Sequence, residues 1–99
     1  MALSWNVFFT VDAQSDLARI ADYIARDSPI RALSFIDELQ QRTAGTLAAF
    51  PLGGSKYKGK TLFLSLSGYI VLYDVDPARR SVDILHIVSA RTNWKKKRV

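Results

Sequence analysis

Apolar and polar positions change period twice along the chain. From Trp5 to Val11 the residues are aromatic and β-branched, interrupted by Asn6 and Thr10, which is a strand pattern. From about Ala13 to Arg26 the period becomes helical. Leu17, Ile20, Ala21 and Ile24 fall at i, i+3, i+4 and i+7 and make one apolar stripe. Tyr23 flanks that stripe, while Asp16, Arg19, Asp22 and Arg26 are expected on the outward face. Asp12 is placed to cap this helix by accepting a backbone N–H near Ser15.

A second helix is predicted from Pro29 to about Ala49. Ser28 serves as its N-cap and Pro29 fills the first helical position, where a missing N–H costs nothing. Ala32, Phe35, Ile36, Leu39, Thr43, Leu47 and Phe50 share one side, and Gly45 weakens the helix locally. At 1.5 Å per residue it is roughly 30 Å long. So short a link between the helices implies an antiparallel hairpin.

FPLGGSKYKGK, residues 50–60, reads as the main loop. It is punctuated by Pro51, Gly53, Gly54 and Gly59, with Lys56, Lys58 and Lys60 alternating through it. Three strands follow: Thr61 to Leu66, a two-residue turn at Ser67-Gly68, Tyr69 to Val75, a turn from Asp76 to Arg80, and Ser81 to Val88. The last strand is apolar on both faces, as a central strand should be. The predicted order is β-α-α-β-β-β. It makes a two-layer α+β domain in which the helix hairpin covers one face of a sheet that the first strand also joins.

Ninety-nine residues, 48% of them hydrophobic, suffice for one domain with a modest core. Residues 1–94 are expected to form it, with 95–99 a solvated basic tail. Without cysteine there is no disulfide framework and no thiolate metal site, which is compatible with a reducing cytoplasm. One histidine and no carboxylate cluster argue against a metal centre. No apolar run approaches the roughly 20 residues of a membrane span, and the N-terminal stretch does not read as a signal peptide.

Charge is divided unevenly. Residues 1–50 carry four arginines against six acids, a net −2, and residues 51–99 carry ten bases against three acids, a net +7. Arg91, Lys95, Lys96, Lys97 and Arg98 alone match the whole excess of +5. The basic end suits a polyanionic partner, either nucleic acid or an acidic protein surface.

Three groups can carry chemistry. His86 alternates with Val82, Ile84 and Val88, so it is either a hydrogen-bonded core or rim residue or a general acid/base near a strand end. Lys56, Lys58 and Lys60 either neutralise phosphates, stabilise charge developing in RNA cleavage, or simply solvate a loop. Arg91 lies just past the central strand, and Trp94 either stacks on a base or packs on the helix hairpin. Neither a phosphate-binding glycine loop nor a paired-carboxylate signature is present.

Taken together, DAQSDLARIADYIARDSPIRALSFIDELQ, LAAFPLGG, GYIVLYDVD and VDILHIVSARTNW, in this order, resemble the RelE/ParE family of bacterial toxins over nearly the full chain. They are similar to the family's A-x-x-D-L-x-x-I-x-x-Y-I helix with its following A-x-x-F-x-x-x-L, its L-x-x-x-P-x-x-G loop, its Y-x-I-x-Y-x-V strand and its closing strand with His and Arg. The resemblance implies a curved antiparallel sheet beneath two N-terminal helices, and an antitoxin whose C-terminal segment wraps the toxin. RelE-like members cleave messenger RNA in the ribosome with basic residues and an aromatic acid/base near the C-terminus. ParE-like members poison DNA gyrase.

By that resemblance Lys58 or Lys60 stands for the RelE-type lysine and Arg91 for its arginine. After Arg91, however, the chain offers Trp94 and no tyrosine, and an indole N–H is neither acid nor base near neutrality. His86 is the remaining substitute. The resemblance therefore favours a cytoplasmic gyrase poison, with Lys56, Lys58, Lys60, Arg91 and Trp94 meeting the target and neither cofactor nor metal required. The alternative is a ribosome-dependent endonuclease using Lys58, Lys60, His86 and Arg91. Promoter DNA would be bound only through the antitoxin.

Overall fold

The computed structural model describes residues 4–96. Its elements are β1 (Asn6–Phe9), α1 (Val11–Ala25), α2 (Pro29–Ala49), β2 (Ser55–Lys58), β3 (Thr61–Leu66), β4 (Tyr69–Asp76), β5 (Ser81–Ser89) and a 3-10 turn at Trp94–Lys96. The five strands form one mixed sheet in the order β1-β5-β4-β3-β2. The α+β class and the predicted order of elements hold, with two refinements. β1 runs parallel to β5, so one of the four strand pairs is parallel. An additional edge strand, β2, also arises within the predicted loop.

The helix starts show how local chemistry fixes these elements. Ser28 accepts the Arg31 N–H at 3.2 Å and Pro29 opens α2, as predicted. The cap of α1 is Thr10 and not Asp12. Thr10 is still extended at ψ 166°, its hydroxyl oxygen accepts the Ala13 N–H at 3.2 Å, and Asp12 falls inside the first turn. The Thr10 hydroxyl also donates to the Ile84 carbonyl at 2.7 Å. One side chain thus ends β1, starts α1 and ties both to β5.

The two helices lay their apolar stripes on one face of the sheet. Ala13, Leu17, Leu39 and Leu47 meet Val71, Tyr73, Val82, Ile84 and Ile87, all buried. Each fully buried aliphatic side chain contributes about 1.5–3 kcal/mol. Ile70 and Leu72, alternating with Val71 and Tyr73 along β4, point into a second apolar cluster with Trp94, Tyr57 and Phe63. β4 is therefore buried on both faces. β5 lies between β1 and β4 over Ser81–Ile84, an interior strand there as its composition predicts, while β4 is the middle strand of the sheet.

A β-bulge changes the phase of β5. Leu72 pairs with His86 and Tyr73 with Ile84, leaving Leu85 as the extra residue. Ile84 and Ile87, three residues apart, consequently both join the core under the helices. The simple alternation of Val82, Ile84, His86 and Val88 does not survive this step.

Two glycines have steric reasons. Gly68 has φ +84° and follows Ser67 at φ +52°, the left-handed pair of a tight two-residue hairpin. Gly54 donates its N–H to the Tyr73 hydroxyl at 2.9 Å. A Cβ there would collide with that hydroxyl and lie 2.5 Å from the Phe63 carbonyl oxygen. Among the described residues, no helix is long and apolar enough to cross a membrane. Of the expected tail, residues 97–99 lie outside the described residues; Lys95 belongs to the 3-10 turn.

Candidate functional site: a split basic surface and an arginine cleft

The predicted basic residues do not converge on one point. Lys56 and Lys58 ride on the edge strand β2, paired to β3 at Leu62 and Thr61. Lys58 lies over the Tyr57 ring at 5.4 Å from its centroid. Tyr57 and Phe63 contact Trp94, with ring centroids 5.7 and 4.8 Å away. Lys95 sits over both Phe63 and Trp94, at 5.6 and 5.5 Å. The sheet face opposite the helices thus carries an aromatic cluster with Lys58 and Lys95 upon it, a cation–π arrangement. Lys60, in the turn between β2 and β3, faces Asp74 at 4.0 Å, and Asp74 also accepts the Thr61 hydroxyl at 2.6 Å.

Trp94 packs, but not on the helix hairpin as one reading of the sequence expects. It covers Ile70 and Leu72 on the helix-free face and is only 8% exposed. Its ring is occupied by this packing.

Arg91 lies elsewhere. It lines a cleft of about 530 Å³ between α1 and the β3–β4 turn. Arg19, Ile20 and Tyr23 of α1 form one wall, and Ile87 and Ser89 of β5 form another. Arg42 of α2 reaches the same turn, donating to the Ser67 hydroxyl at 2.9 Å. The cleft is therefore lined by two arginines, Arg19 from the half whose net charge is negative and Arg91 from the basic half.

His86 and Asp16 form a third group. The expectation that Asp16 faces outward is overturned, since it is 5% exposed. One of its carboxylate oxygens accepts the Ile87 N–H at 2.9 Å and lies 3.1 Å from His86 Nδ1. Its other oxygen accepts from Arg19 at 3.1 Å. The reason lies in the sheet. β1 pairs with β5 only as far as Ile84, so the outer edge beyond it needs another acceptor, and Asp16 supplies one. Asp12 lies 3.9 Å from His86 Nε2, on the opposite side of the ring. The two carboxylates thus meet different ring nitrogens and do not converge on a point that an ion could occupy. Among the described residues, no serine or threonine hydroxyl bonds to His86, so this pair joins α1 to β5 without a nucleophile in hand.

Asp16, Arg19 and Tyr23 escaped the sequence reading as site residues. A signal was present: Asp16, Arg19, Ile20 and Tyr23 are spaced i, i+3, i+4 and i+7, one helical face, and three of them fall within the A-x-x-D-L-x-x-I-x-x-Y-I pattern.

Similar structures show how widely this fold recurs. A chain of the Mycobacterium tuberculosis RelBE2 toxin–antitoxin complex is 21% identical, covering 93% of this chain and 98% of that one, with a TM-score of 0.70. A chain of the chromosomal ParDE system of P. aeruginosa is 20% identical over 87% of this chain and 96% of that one, with a TM-score of 0.73. A mutant of the E. coli toxin RelE in its free state is 14% identical over 94% and 90%, with a TM-score of 0.62. At these identities the likeness establishes the fold alone. No curated protein sequence matches the chain significantly. The sequence profile of the ParE toxin of the type II toxin–antitoxin system, parDE, matches residues 7–94, nearly all of the residues the structure describes. The chain belongs to the ParE family of toxins of type II toxin–antitoxin systems.

Proposed function

We propose that this chain arrests growth by poisoning DNA gyrase in the cytoplasm and is neutralised by a cognate antitoxin. The observation that carries the reading is the family match over residues 7–94. The distribution of side chains supports it. Phosphodiester cleavage needs an acid, a base and a cation around one phosphate. Here Lys56 and Lys58 ride on β2, Arg91 lines the cleft beside α1, and His86 is bonded to Asp16. An antitoxin partner is supported by the similar chains from M. tuberculosis and P. aeruginosa, which come from toxin–antitoxin systems. The chain's own residues call for neither cofactor nor metal in this role, and promoter DNA is contacted through the antitoxin.

Purified toxin added to gyrase and supercoiled plasmid should trap cleaved DNA, while translated messages in arrested cells stay intact. Gyrase that keeps full activity at excess toxin would overturn the reading. The alternative, a ribosome-dependent endonuclease, draws on one feature: Lys58 and Lys95 over an aromatic cluster make a face suited to RNA. It predicts codon-phased cuts in translated message, lost in Arg91→Ala or in Lys58→Ala with Lys60→Ala.

A further inference from the structure

We propose that the sheet face opposite the helices pairs with the same face of a second copy of this chain. The two-fold axis lies in the plane of the interface. Lys95 of each copy then meets Asp83 of the other, and the Trp94–Lys96 turn of each fills the trough beside Phe8 of the other. This pairing is independent of the target proposed above.

Four observations carry it. The first is a division of charge within one face. Tyr73 and Val75 turn toward the helices, so Asp74 and Asp76, alternating with them on β4, turn away. Asp83, between the core residues Val82 and Ile84, shares that outward face. The acids therefore stand over β4 and β5, whereas Lys58 and Lys95 stand over β2 and β3. A face that is acidic on one side and basic on the other is complementary to a second copy of itself. The second is that these charges go unanswered within the chain. Asp74 and Asp83 are direct cross-strand neighbours, a destabilising arrangement for like charges. Lys60 faces Asp74 at 4.0 Å. Among the described residues Asp83 has no basic partner in an ion pair, and Lys58 and Lys95 have no acidic one. The third is relief. Trp94, packed on Ile70 and Leu72, raises the 3-10 turn above the sheet. Beside it Asn6, Phe8, Arg79, Ser81 and Asp83 line a trough of about 360 Å³. A two-fold operation sets each raised turn into the hollow of the other copy. The fourth is apolar surface. Phe8 is 54% exposed in the trough, and Tyr57 and Phe63 are only half-buried under the lysines. Covering them adds the apolar centre that a stable interface has. A nucleic acid laid across this face would meet the lysines and then the repulsion of Asp74 and Asp83. A purely basic partner would meet the reverse.

The test follows the oligomeric state of the full chain by sedimentation over a range of concentration and salt. The wild type should dimerise at low salt and dissociate as salt is added. Asp83→Lys and Lys95→Asp each set like charge against like, and each should weaken the dimer by roughly tenfold or more. Mixed in equal amounts, the two variants should form a heterodimer, because both cross-copy pairs are then of opposite sign. Arg31→Glu, in the helix layer, should leave the dimer unchanged. Circular dichroism reports whether each variant keeps its fold. A wild type that stays monomeric into the millimolar range, single swaps that leave the dimer intact, or a mixture that stays monomeric would each overturn the proposal. So would a monomer that holds an eight-nucleotide oligothymidylate or a lysine–leucine peptide on this face, which would give the surface to another occupant. A toxin inert toward gyrase that still pairs in this way overturns the gyrase reading and leaves the pairing standing. Gyrase poisoning by a strictly monomeric toxin does the reverse.

Discussion

Replacing Asp16 with alanine takes an acceptor away from three groups at once, the Ile87 N–H, His86 Nδ1 and Arg19. The Ile87 N–H is buried and has no strand partner on that side, and His86 Nδ1 loses its neighbour. Leaving a buried donor unpaired costs about 1–3 kcal/mol, more when the lost partner is charged. Asp16→Ala should therefore lower the unfolding free energy by about 2–3 kcal/mol in a urea titration, while Asp22→Ala, on the exposed side of the same helix, should change it by less than about 0.5 kcal/mol. Equal effects would show that the Asp16 bonds add nothing. Tyr73 gives a second test with a defined sign. Burial pushes its phenol above the ordinary value of 10.0, and the Gly54 N–H partly offsets that. A raised folded-state value means that the neutral phenol stabilises the fold below about pH 10, and that this contribution is lost as pH rises through the folded-state value. The stability difference between the wild type and Tyr73→Phe should be constant at neutral pH and shrink above about pH 10. Gly54→Ala drives a methyl toward the Tyr73 hydroxyl and the Phe63 carbonyl. It should cost about 1–3 kcal/mol by overpacking, read as a lower melting temperature with the fold retained.

At the level of elements, what could be read from the sequence was whatever is encoded locally. The stripe of α1, that of α2 as far as Leu47, the Ser28-Pro29 start and the Ser67-Gly68 turn each depend on residues within a few positions of one another and appear as predicted, whereas Phe50, expected on the α2 stripe, caps the helix and is exposed. β2 was hidden because SKYK has no apolar alternation. It becomes a strand by pairing with β3, an effect of the sheet and not of its own composition. The burial of Asp16 and the separation of Arg91 from the lysines of β2 have a related cause. Their surroundings are set by where β1 stops along β5 and by the bulge at Leu85, and neither can be read from periodicity. Trp94 shows the same limit, since its packing was foreseeable but the sheet face was not. That face yields an element-scale prediction. Truncating the buried indole in Trp94→Ala should cost about 3 kcal/mol. Because Tyr57 then loses its ring partner, the amides of Lys56 to Lys58 should exchange with solvent faster than those of α2. Uniform acceleration throughout the chain would mean that Trp94 supports the whole fold and not β2 in particular.

Across the whole molecule, the first strand closes onto the last. Thr10 bonds to Ile84, 74 residues away, and β1 lies beside β5 along its first four residues. Every other strand pair joins neighbours in sequence. Loop-closure entropy grows with the length of chain enclosed, so the helix hairpin and the β2-β3-β4-β5 meander are able to form before β1 docks. The arginine cleft depends on the later step, because it exists only once α1, carried by β1 and Thr10, is laid against the end of β5. Its cations likewise come from both halves of a chain whose halves carry opposite net charge. The order of assembly is testable with two truncations of the same chemistry. Val7, on β1, and Val71, on β4, both pack in the core beneath the helices. Val7→Ala should act mainly by speeding unfolding, with little change in refolding rate, whereas Val71→Ala should slow refolding. Chevron measurements on the two variants decide the matter, provided each loses more than about 0.6 kcal/mol of stability, below which such ratios are unreliable. If Val7→Ala slows refolding as strongly as Val71→Ala does, β1 is already in place at the transition state, and the long closure precedes the meander instead of completing it.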